Sequence, residues 1–177
     1  MIFLTVGGQM PFDRLVRAVD AWAASRGCGG EVFMQIADGE YTPGACQWVR
    51  FMSAGEFRDR VERATAIVAH AGMGSILTAL EIGKPILVLP RRGDLRETRN
   101  DHQIATAREL SKRGQIRVAM TEQDLPERLD ALVREGGENA SVRISPWASD
   151  ELLTAIRRFI WNGTTPIPGA GPDTTKG

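Results

Sequence analysis

Two glycine-rich loops in the sequence have the composition of an anion-binding site. Gly7-Gly8-Gln9 follows a short apolar run, and residues 70–75, His-Ala-Gly-Met-Gly-Ser, follow another. Glycines allow backbone N–H groups to approach a ligand closely, and a helix predicted from Ser75 adds the positive end of its dipole. A diphosphate is the ligand that these two loops predict.

A third polar stretch, residues 91–103, lies between an apolar run and a helical pattern. Its arginines can hold phosphate or carboxylate groups through paired hydrogen bonds. They are Arg91, Arg92, Arg96 and Arg99. The residues that follow supply donors and acceptors suited to sugar hydroxyls, and they are Asn100, Asp101, His102 and Gln103.

Other phosphate motifs are not matched. Leu77 stands where the dinucleotide fingerprint requires its third glycine, and Pro85 follows Gly83-Lys84 where a P-loop requires serine or threonine. Two histidines and two cysteines argue against a zinc site. We therefore predict neither a metal nor a cofactor.

The elements that position these loops alternate along the chain. Apolar runs predict strands at 2–6, 31–36, 47–51, 66–69, 86–89 and 116–119, and helical spacing predicts helices at 11–25, 53–64, 75–82, 101–113, 122–134 and 149–161. This alternation is typical of a single Rossmann-like, doubly wound parallel sheet. In the strand order 3-2-1-4-5-6, both glycine loops meet at the point where the order reverses.

Length and charge set broad limits. The 177 residues are enough for one α/β domain, which we place at 1–162, with a flexible tail at 163–177. The formal net charge of zero gives no general electrostatic reason to bind nucleic acid. A signal peptide and a membrane-spanning apolar stretch are both missing from the sequence, so the expected location is cytoplasmic.

Three motifs resemble the glycosyltransferase family 28 C-terminal domain over about residues 1–120. They are residues 1–15, beginning Met-Ile-Phe-Leu-Thr-Val-Gly-Gly-Gln, residues 70–85, and Arg91-Arg92 together with residues 99–103. The last is similar to the bacterial exopolysaccharide branch. The resemblance implies the donor lobe of a two-lobed, inverting, metal-independent transferase, whose acceptor lobe is a separate, membrane-anchored subunit.

The same resemblance implies a UDP-sugar donor and a polyprenyl-diphosphate-linked glycan acceptor in exopolysaccharide synthesis. The chain would then lie at the inner face of the membrane through its partner. The sugar stays open between glucuronic acid, galactose and N-acetylglucosamine. The arginine loop favours an acidic sugar slightly, although the same arginines fit a lipid diphosphate.

Carried over residue by residue, the resemblance assigns three groups of contacts. The diphosphate contacts are Gly7, Gly8, Gln9, His70, Gly72, Met73, Gly74 and Ser75. Thr78 occupies the position of the family's ribose-binding glutamate, and Glu81 is the alternative for that contact. Asn100, Asp101, His102 and Gln103 face the sugar. His70 is a possible contact of the leaving group, and the catalytic base is expected on the partner.

Two rival interpretations use the same loops. The chain could be a regulatory module that holds a nucleotide and docks on a membrane enzyme without catalysing transfer. A weaker alternative is an oxidoreductase, which tight NAD binding would support.

Overall fold

The computed structural model describes residues 1–8, 10–99, 101–135, 143–144 and 154. The chain divides into two units, Met1–Ile144 and Ser145–Gly177. The predicted helix at 149–161 and the predicted tail at 163–177 lie outside the described residues, except for Thr154. The fold below is that of the first unit.

Six parallel strands form one sheet, as predicted. They are β1 (Ile2–Thr5), β2 (Val32–Gln35), β3 (Gln47–Val49), β4 (Ala66–His70), β5 (Ile86–Leu89) and β6 (Arg117–Val118). Their order is β3-β2-β1-β4-β5-β6, and Leu4 of β1 is paired with Met34 on one side and Val68 on the other. The predicted strand order is confirmed, and the loops after β1 and β4 are neighbours at the carboxyl edge of the sheet.

Five α-helices lie in the described residues of the first unit, four of them between strands and the fifth after β6. They are α1 (Asp13–Arg26), α2 (Ala54–Arg63), α3 (Met73–Ile82), α4 (His102–Lys112) and α5 (Leu125–Glu135). A short 3-10 helix, Gly29–Glu31, precedes β2. Helix α3 begins two residues earlier than the sequence suggested, because Gly72 occupies the N-cap position with extended backbone angles. Its first free N–H groups therefore belong to residues 73–75.

Local sequence signals fix the ends of two helices next to the site. Ser53 caps α2, accepting from the Glu56 N–H while the Glu56 carboxylate accepts from the Ser53 N–H. This is a capping box, and its sequence signature is the Ser-x-x-Glu pattern of residues 53–56. Gly83 ends α3 with φ 78°, a left-handed conformation that glycine adopts without strain.

Both faces of the sheet are buried, which explains why its strands are apolar without polar alternation. Ile2 and Leu4 pack in one core with residues of α1 and α5, whereas Phe3 packs on the other face with residues of α2 and α3. The sheet is therefore held between two helical layers, and its carboxyl edge is left for the loops. Within the described ranges no helix has the length and hydropathy of a membrane span.

Candidate functional site

A cavity of about 640 Å³ opens over the carboxyl ends of β1 and β4. Several of the predicted site residues line it: Gly7, Gly8, His70, Gly74, Ser75, Thr78, Arg91, His102 and Gln103. Five further predicted residues do not line it: Gly72, Met73, Glu81, Arg92 and Asp101. Gln9 and Asn100 lie outside the described residues. The expected meeting of the two glycine loops is thus present in the structure.

The glycines of these loops serve two different purposes. A Cβ atom added to Gly72 would lie 2.2 Å from His70 Nε2, and one added to Gly7 would lie 2.8 Å from His70 Cε1. Gly7 also has φ 80°, which other residues rarely adopt. Gly7 and Gly72 are therefore needed where the backbone packs against the imidazole ring.

Gly8 and Gly74 face open space instead. A Cβ atom at either position would meet no atom within 4 Å, and both residues line the cavity. Their missing side chains leave the backbone accessible from the cavity. These two glycines, rather than all four, have the geometry expected of a close approach to phosphate.

The first turn of α3 supplies the donors. The N–H groups of Met73, Gly74 and Ser75 precede the first intrahelical donor, the Ile76 N–H, and carry the positive end of the helix dipole. Gly74 and Ser75 lie on the cavity wall, whereas the Met73 side chain is 48% exposed and lies outside that wall. Thr78 lines the cavity one turn further on, and its hydroxyl donates to the Gly74 carbonyl at 2.9 Å.

His70 is the last residue of β4 and lies between the two loops. Burial, and after it the positive charge of Arg91, lower the pKa of His70 to about 4, against a smaller opposing effect of the Thr5 backbone. The imidazole is therefore neutral at physiological pH. Its Nδ1 atom is buried and has no hydrogen-bond partner among the described residues. A neutral imidazole offers one donor and one acceptor, which suits a hydrogen bond to a ligand more than a salt bridge.

A buried polar network fixes the loop after β1. The Thr5 hydroxyl donates to Gln35 Oε1 at 2.7 Å, and the Gly7 N–H donates to the Thr5 hydroxyl at 3.1 Å. The Gln35 amide donates to the Gly7 and Arg50 carbonyls. Sequence reasoning missed Thr5 and Gln35, although a polar residue at the end of an otherwise apolar strand is the signal that points to them.

Arg91 has a different role from the predicted phosphate clamp. Its side chain is 3% exposed, and it donates to the Val6 and Met10 carbonyls at 2.9 and 2.7 Å and also to the Pro11 carbonyl. Its guanidinium lies 4.6 Å from the centre of the Phe12 ring. These contacts use the guanidinium to hold the loop after β1, so Arg91 is a positioning residue.

Three other predicted site residues of this loop also bind the protein itself. Arg92 pairs with Asp94 at 2.6 Å, and Asp101 accepts from the Gly93 N–H at 2.8 Å. Gln103 is buried and accepts from the Arg91 N–H. Sugar contacts predicted for Asp101 and a phosphate contact predicted for Arg92 therefore compete with contacts that order the loop.

An apolar wall closes the cavity on the side of β3 and α2. It consists of Phe51, Met52, Ala54 and Phe57, with Met10 on the loop after β1. Phe51 is 52% exposed, which is unusual for so large an apolar ring and leaves a face free for stacking. The sequence predicts a strand ending at Phe51 and a helix at 53–64 here, and no pattern in it marked these apolar residues as part of the site.

The cavity wall contains no acidic side chain among the described residues. In that same part of the chain no cluster of three histidine, cysteine or acidic residues has the arrangement of a metal site. The arrangement offers helix N–H groups, one neutral imidazole and an apolar ring, which together can bind an anion joined to an aromatic group.

Comparison with known proteins identifies similar chains. Residues 1–149 match the glycosyltransferase family 28 C-terminal domain. The UDP-N-acetylglucosamine transferase subunit ALG13 of Homo sapiens is 29% identical over 124 residues, 65% of this chain and 10% of that protein. The subunit of the same name from Cryptococcus neoformans is 38% identical over 81 residues, 45% of this chain and 38% of that protein. This chain therefore spans well under half the length of these two relatives.

A solved structure has the same fold. The NMR solution structure of ALG13 superimposes with a TM-score of 0.53 at 18% identity, covering 88% of this chain and 93% of that one. At this identity the likeness concerns the fold, and it agrees with the parallel sheet described above.

Proposed function

The chain belongs to the glycosyltransferase family 28 C-terminal domain family, and we propose that it is the donor-binding subunit of a glycosyltransferase that uses a UDP-sugar. The observation that carries this proposal is the open backbone of Gly8 and Gly74 beside the first turn of α3, at the mouth of a cavity of about 640 Å³. Preorganised N–H groups of this kind stabilise the diphosphate that leaves when the sugar is transferred.

The remaining parts of the donor would occupy the two sides of the cavity. The exposed ring of Phe51 can stack against the uracil base. The Thr78 hydroxyl keeps acceptor capacity after donating to Gly74 and can meet the ribose. We place the diphosphate between them, at Gly8, Gly74 and Ser75, with neutral His70 as a further hydrogen-bonding partner of the leaving group.

We propose a neutral sugar, with UDP-N-acetylglucosamine as the first donor to test. The only arginine on the cavity wall among the described residues is Arg91, and its guanidinium already holds three backbone carbonyls. A uronic acid would bring a carboxylate without a free cation to meet it. The two relatives compared above are named as N-acetylglucosamine transferase subunits, which supports the same choice.

The catalytic base and the binding of the acceptor glycan belong to a partner in this proposal. Inverting transfer requires a base for the acceptor hydroxyl, and the described cavity wall has no carboxylate to provide it. We propose a membrane-anchored partner subunit that binds a polyprenyl-diphosphate-linked glycan, which would place this chain at the inner face of the membrane. Its use in exopolysaccharide synthesis rests on the resemblance of residues 91–92 and 99–103 alone.

Calorimetric titration with UDP and a panel of UDP-sugars tests the donor site. The variant Gly74→Val should lower UDP affinity at least tenfold, because its side chain would cover the α3 N–H groups while meeting no atom within 4 Å. Gly30→Val is the matched control, since its side chain would also face open space but at the amino edge of the sheet. Equal UDP affinity of Gly74→Val and Gly30→Val would remove this loop from the site.

Reconstitution separates the transferase subunit from a regulatory module. Mixing the chain with membranes that contain the partner should produce sugar transfer that neither component shows alone. Nucleotide binding without any transfer would favour the module, and tight NAD binding would favour an oxidoreductase.

A further inference from the structure

Acidic residues of the loop between β5 and α4 already have partners within the protein. Asp94 pairs with Arg92 at 2.6 Å, and Glu97 pairs with Arg14 of α1 at 2.8 Å. Asp101 accepts from the Gly93 N–H at 2.8 Å. The ion pairs of Asp94 and Glu97 are thus made with Arg92 and Arg14, and not with the two remaining arginines of the loop.

Two arginines and one leucine are left at the tip of this loop. Arg96 and Arg99 are exposed and form no ion pair with any residue that the structure describes. Leu95, next to Arg96, is 47% exposed. Arg96 and Arg99 thus present two guanidinium groups, next to the apolar Leu95 side chain, on one short exposed loop, a combination that suits a phosphate group joined to an apolar chain.

The tip is ordered and adjoins the donor cavity. The Arg96 N–H donates to the Gly93 carbonyl at 3.0 Å, and the Glu97 N–H donates to the Arg92 carbonyl at 3.1 Å. Thr98, which lies between the two arginines in the sequence, is part of the cavity wall. A ligand held by the arginines would therefore lie beside the sugar that is to be transferred.

We propose that Arg96 and Arg99 bind the diphosphate of the lipid-linked acceptor and that Leu95 contacts the first part of its prenyl chain. This inference rests on the proposed function. Guanidinium groups bind phosphate oxygens through paired, charge-assisted hydrogen bonds, and two such groups match the two phosphates of a diphosphate. Two arginines and one leucine are too few to hold a protein on a bilayer, because stable anchoring requires a larger basic cluster or covalently attached lipid chains. The diphosphate of an individual acceptor is therefore favoured over a general anionic surface.

Co-sedimentation of the full chain with vesicles tests the site. One set of vesicles is phosphatidylcholine with a small fraction of undecaprenyl diphosphate, and the other is phosphatidylcholine with phosphatidylglycerol at the same surface charge. The wild-type chain should bind the first set at least fivefold more tightly. Equal affinity for both sets would overturn the proposal in favour of a general anionic surface, and no binding to the diphosphate vesicles would overturn it outright.

The double variant Arg96→Gln/Arg99→Gln should bind the diphosphate vesicles about tenfold more weakly than the wild type. Its matched control is Arg63→Gln/Arg108→Gln, which removes the same charge from exposed arginines at the end of α2 and in the second half of α4. An equal loss in the control would show an effect of net charge and overturn the site. Leu95→Ser should lower the affinity for these vesicles severalfold, and an unchanged affinity would overturn the contact with the prenyl chain.

Titration of the same double variant with UDP keeps the two proposals apart. Its UDP affinity should equal that of the wild type, because neither arginine lines the donor cavity. A wild-type chain that binds diphosphate vesicles but no UDP-sugar would contradict the proposed function and leave the lipid diphosphate site standing. A wild-type chain that binds UDP normally but does not bind the diphosphate vesicles would overturn the lipid diphosphate site and leave the proposed function standing.

Discussion

At the scale of single residues, the site depends on side chains that hold backbone in place more than on side chains that reach a ligand. Arg91 gives its guanidinium to three carbonyls of the loop after β1, and Gln103 accepts from the Arg91 N–H. Gly7 and Gly72 make room for the His70 ring. The shape of the phosphate loop is thus set by residues on three separate elements of the chain.

Replacement of Arg91 tests this positioning role. Arg91→Lys keeps the charge but cannot reach three carbonyls with one planar group, so we expect a loss of about 2–3 kcal/mol in the free energy of unfolding. We also expect UDP affinity to fall about tenfold, measured by calorimetry well below the melting temperature. Arg92→Lys is the control, because Arg92 forms a surface pair with Asp94, and it should change stability by less than about 0.5 kcal/mol.

A loss of stability in Arg91→Lys with unchanged UDP affinity would show that Arg91 supports the fold without shaping the site. Equal effects of Arg91→Lys and Arg92→Lys would contradict the distinction drawn between the two arginines.

The buried imidazole of His70 makes stability depend on pH in a defined direction. Its folded pKa of about 4 lies below the ordinary value of 6.5, so protonation favours the unfolded chain. The contribution of the neutral His70 ring to the free energy of unfolding is fully present above pH 6.5 and is lost as the pH falls towards 4. The free energy of unfolding of the wild type, relative to His70→Asn, should fall by about 3 kcal/mol over that window.

Proton NMR of the imidazole ring checks the same value directly, with an expected midpoint near pH 4. A midpoint at 6.5 would mean that the ring is solvated in solution. It would also contradict the proposal that His70 donates to the leaving group as a neutral imidazole.

At the scale of elements, helix α3 determines what the donor meets. Starting at Met73, it directs its first N–H groups to the cavity and places Thr78 one turn beyond Gly74. Glu81 lies nearly two turns beyond Gly74 and does not line the cavity. Because α3 begins at Met73 and not at the predicted Ser75, the N–H groups of residues 73–75 are the free donors at its start. The position of Glu81 outside the cavity wall is not changed by this difference.

The ribose contact can be assigned by two substitutions on α3. Thr78→Val should lower UDP affinity threefold to tenfold, the scale of one neutral hydrogen bond. Glu81→Gln should leave UDP affinity within twofold. Calorimetric titration of both variants provides the comparison, and the opposite ranking would return the ribose contact to Glu81.

At the scale of the whole molecule, the described core is contained in the first unit. The buried apolar residues of the described ranges run from Ile2 to Leu132, and α5 closes one face of the sheet against α1. Arg14 of α1 joins the site loops to α5 by pairing with Glu97 and with Glu122, just before α5. The donor site and the core that supports it thus belong to one unit.

A chain that ends at Pro146 tests the independence of this unit. We expect it to keep a cooperative thermal transition by circular dichroism and to bind UDP as the full chain does. We also expect it to fail to co-purify with the partner, because the spacing of apolar residues in 149–161 predicts a helix with one apolar face, and we propose that this face docks on the partner. Unfolding on truncation would instead assign that segment to the core of this chain.

The sequence by itself determined the elements, their order in the sheet and the place where two glycine loops meet, because strand and helix periodicity and the rules of parallel crossovers are local and general. The capping box at Ser53 and Glu56 is equally local, because both of its residues lie within one turn of the chain. Only the tertiary structure decided which glycines are open to a ligand, since the His70 imidazole that fills the space beside Gly7 comes from another strand, and the fold of the loop after β4 turns the same ring onto Gly72. The partners of Arg91 were likewise invisible in the sequence, because the carbonyls that it binds lie about 80 residues away, in the loop after a different strand. Hydrogen bonds between distant segments depend on packing, which no local pattern encodes.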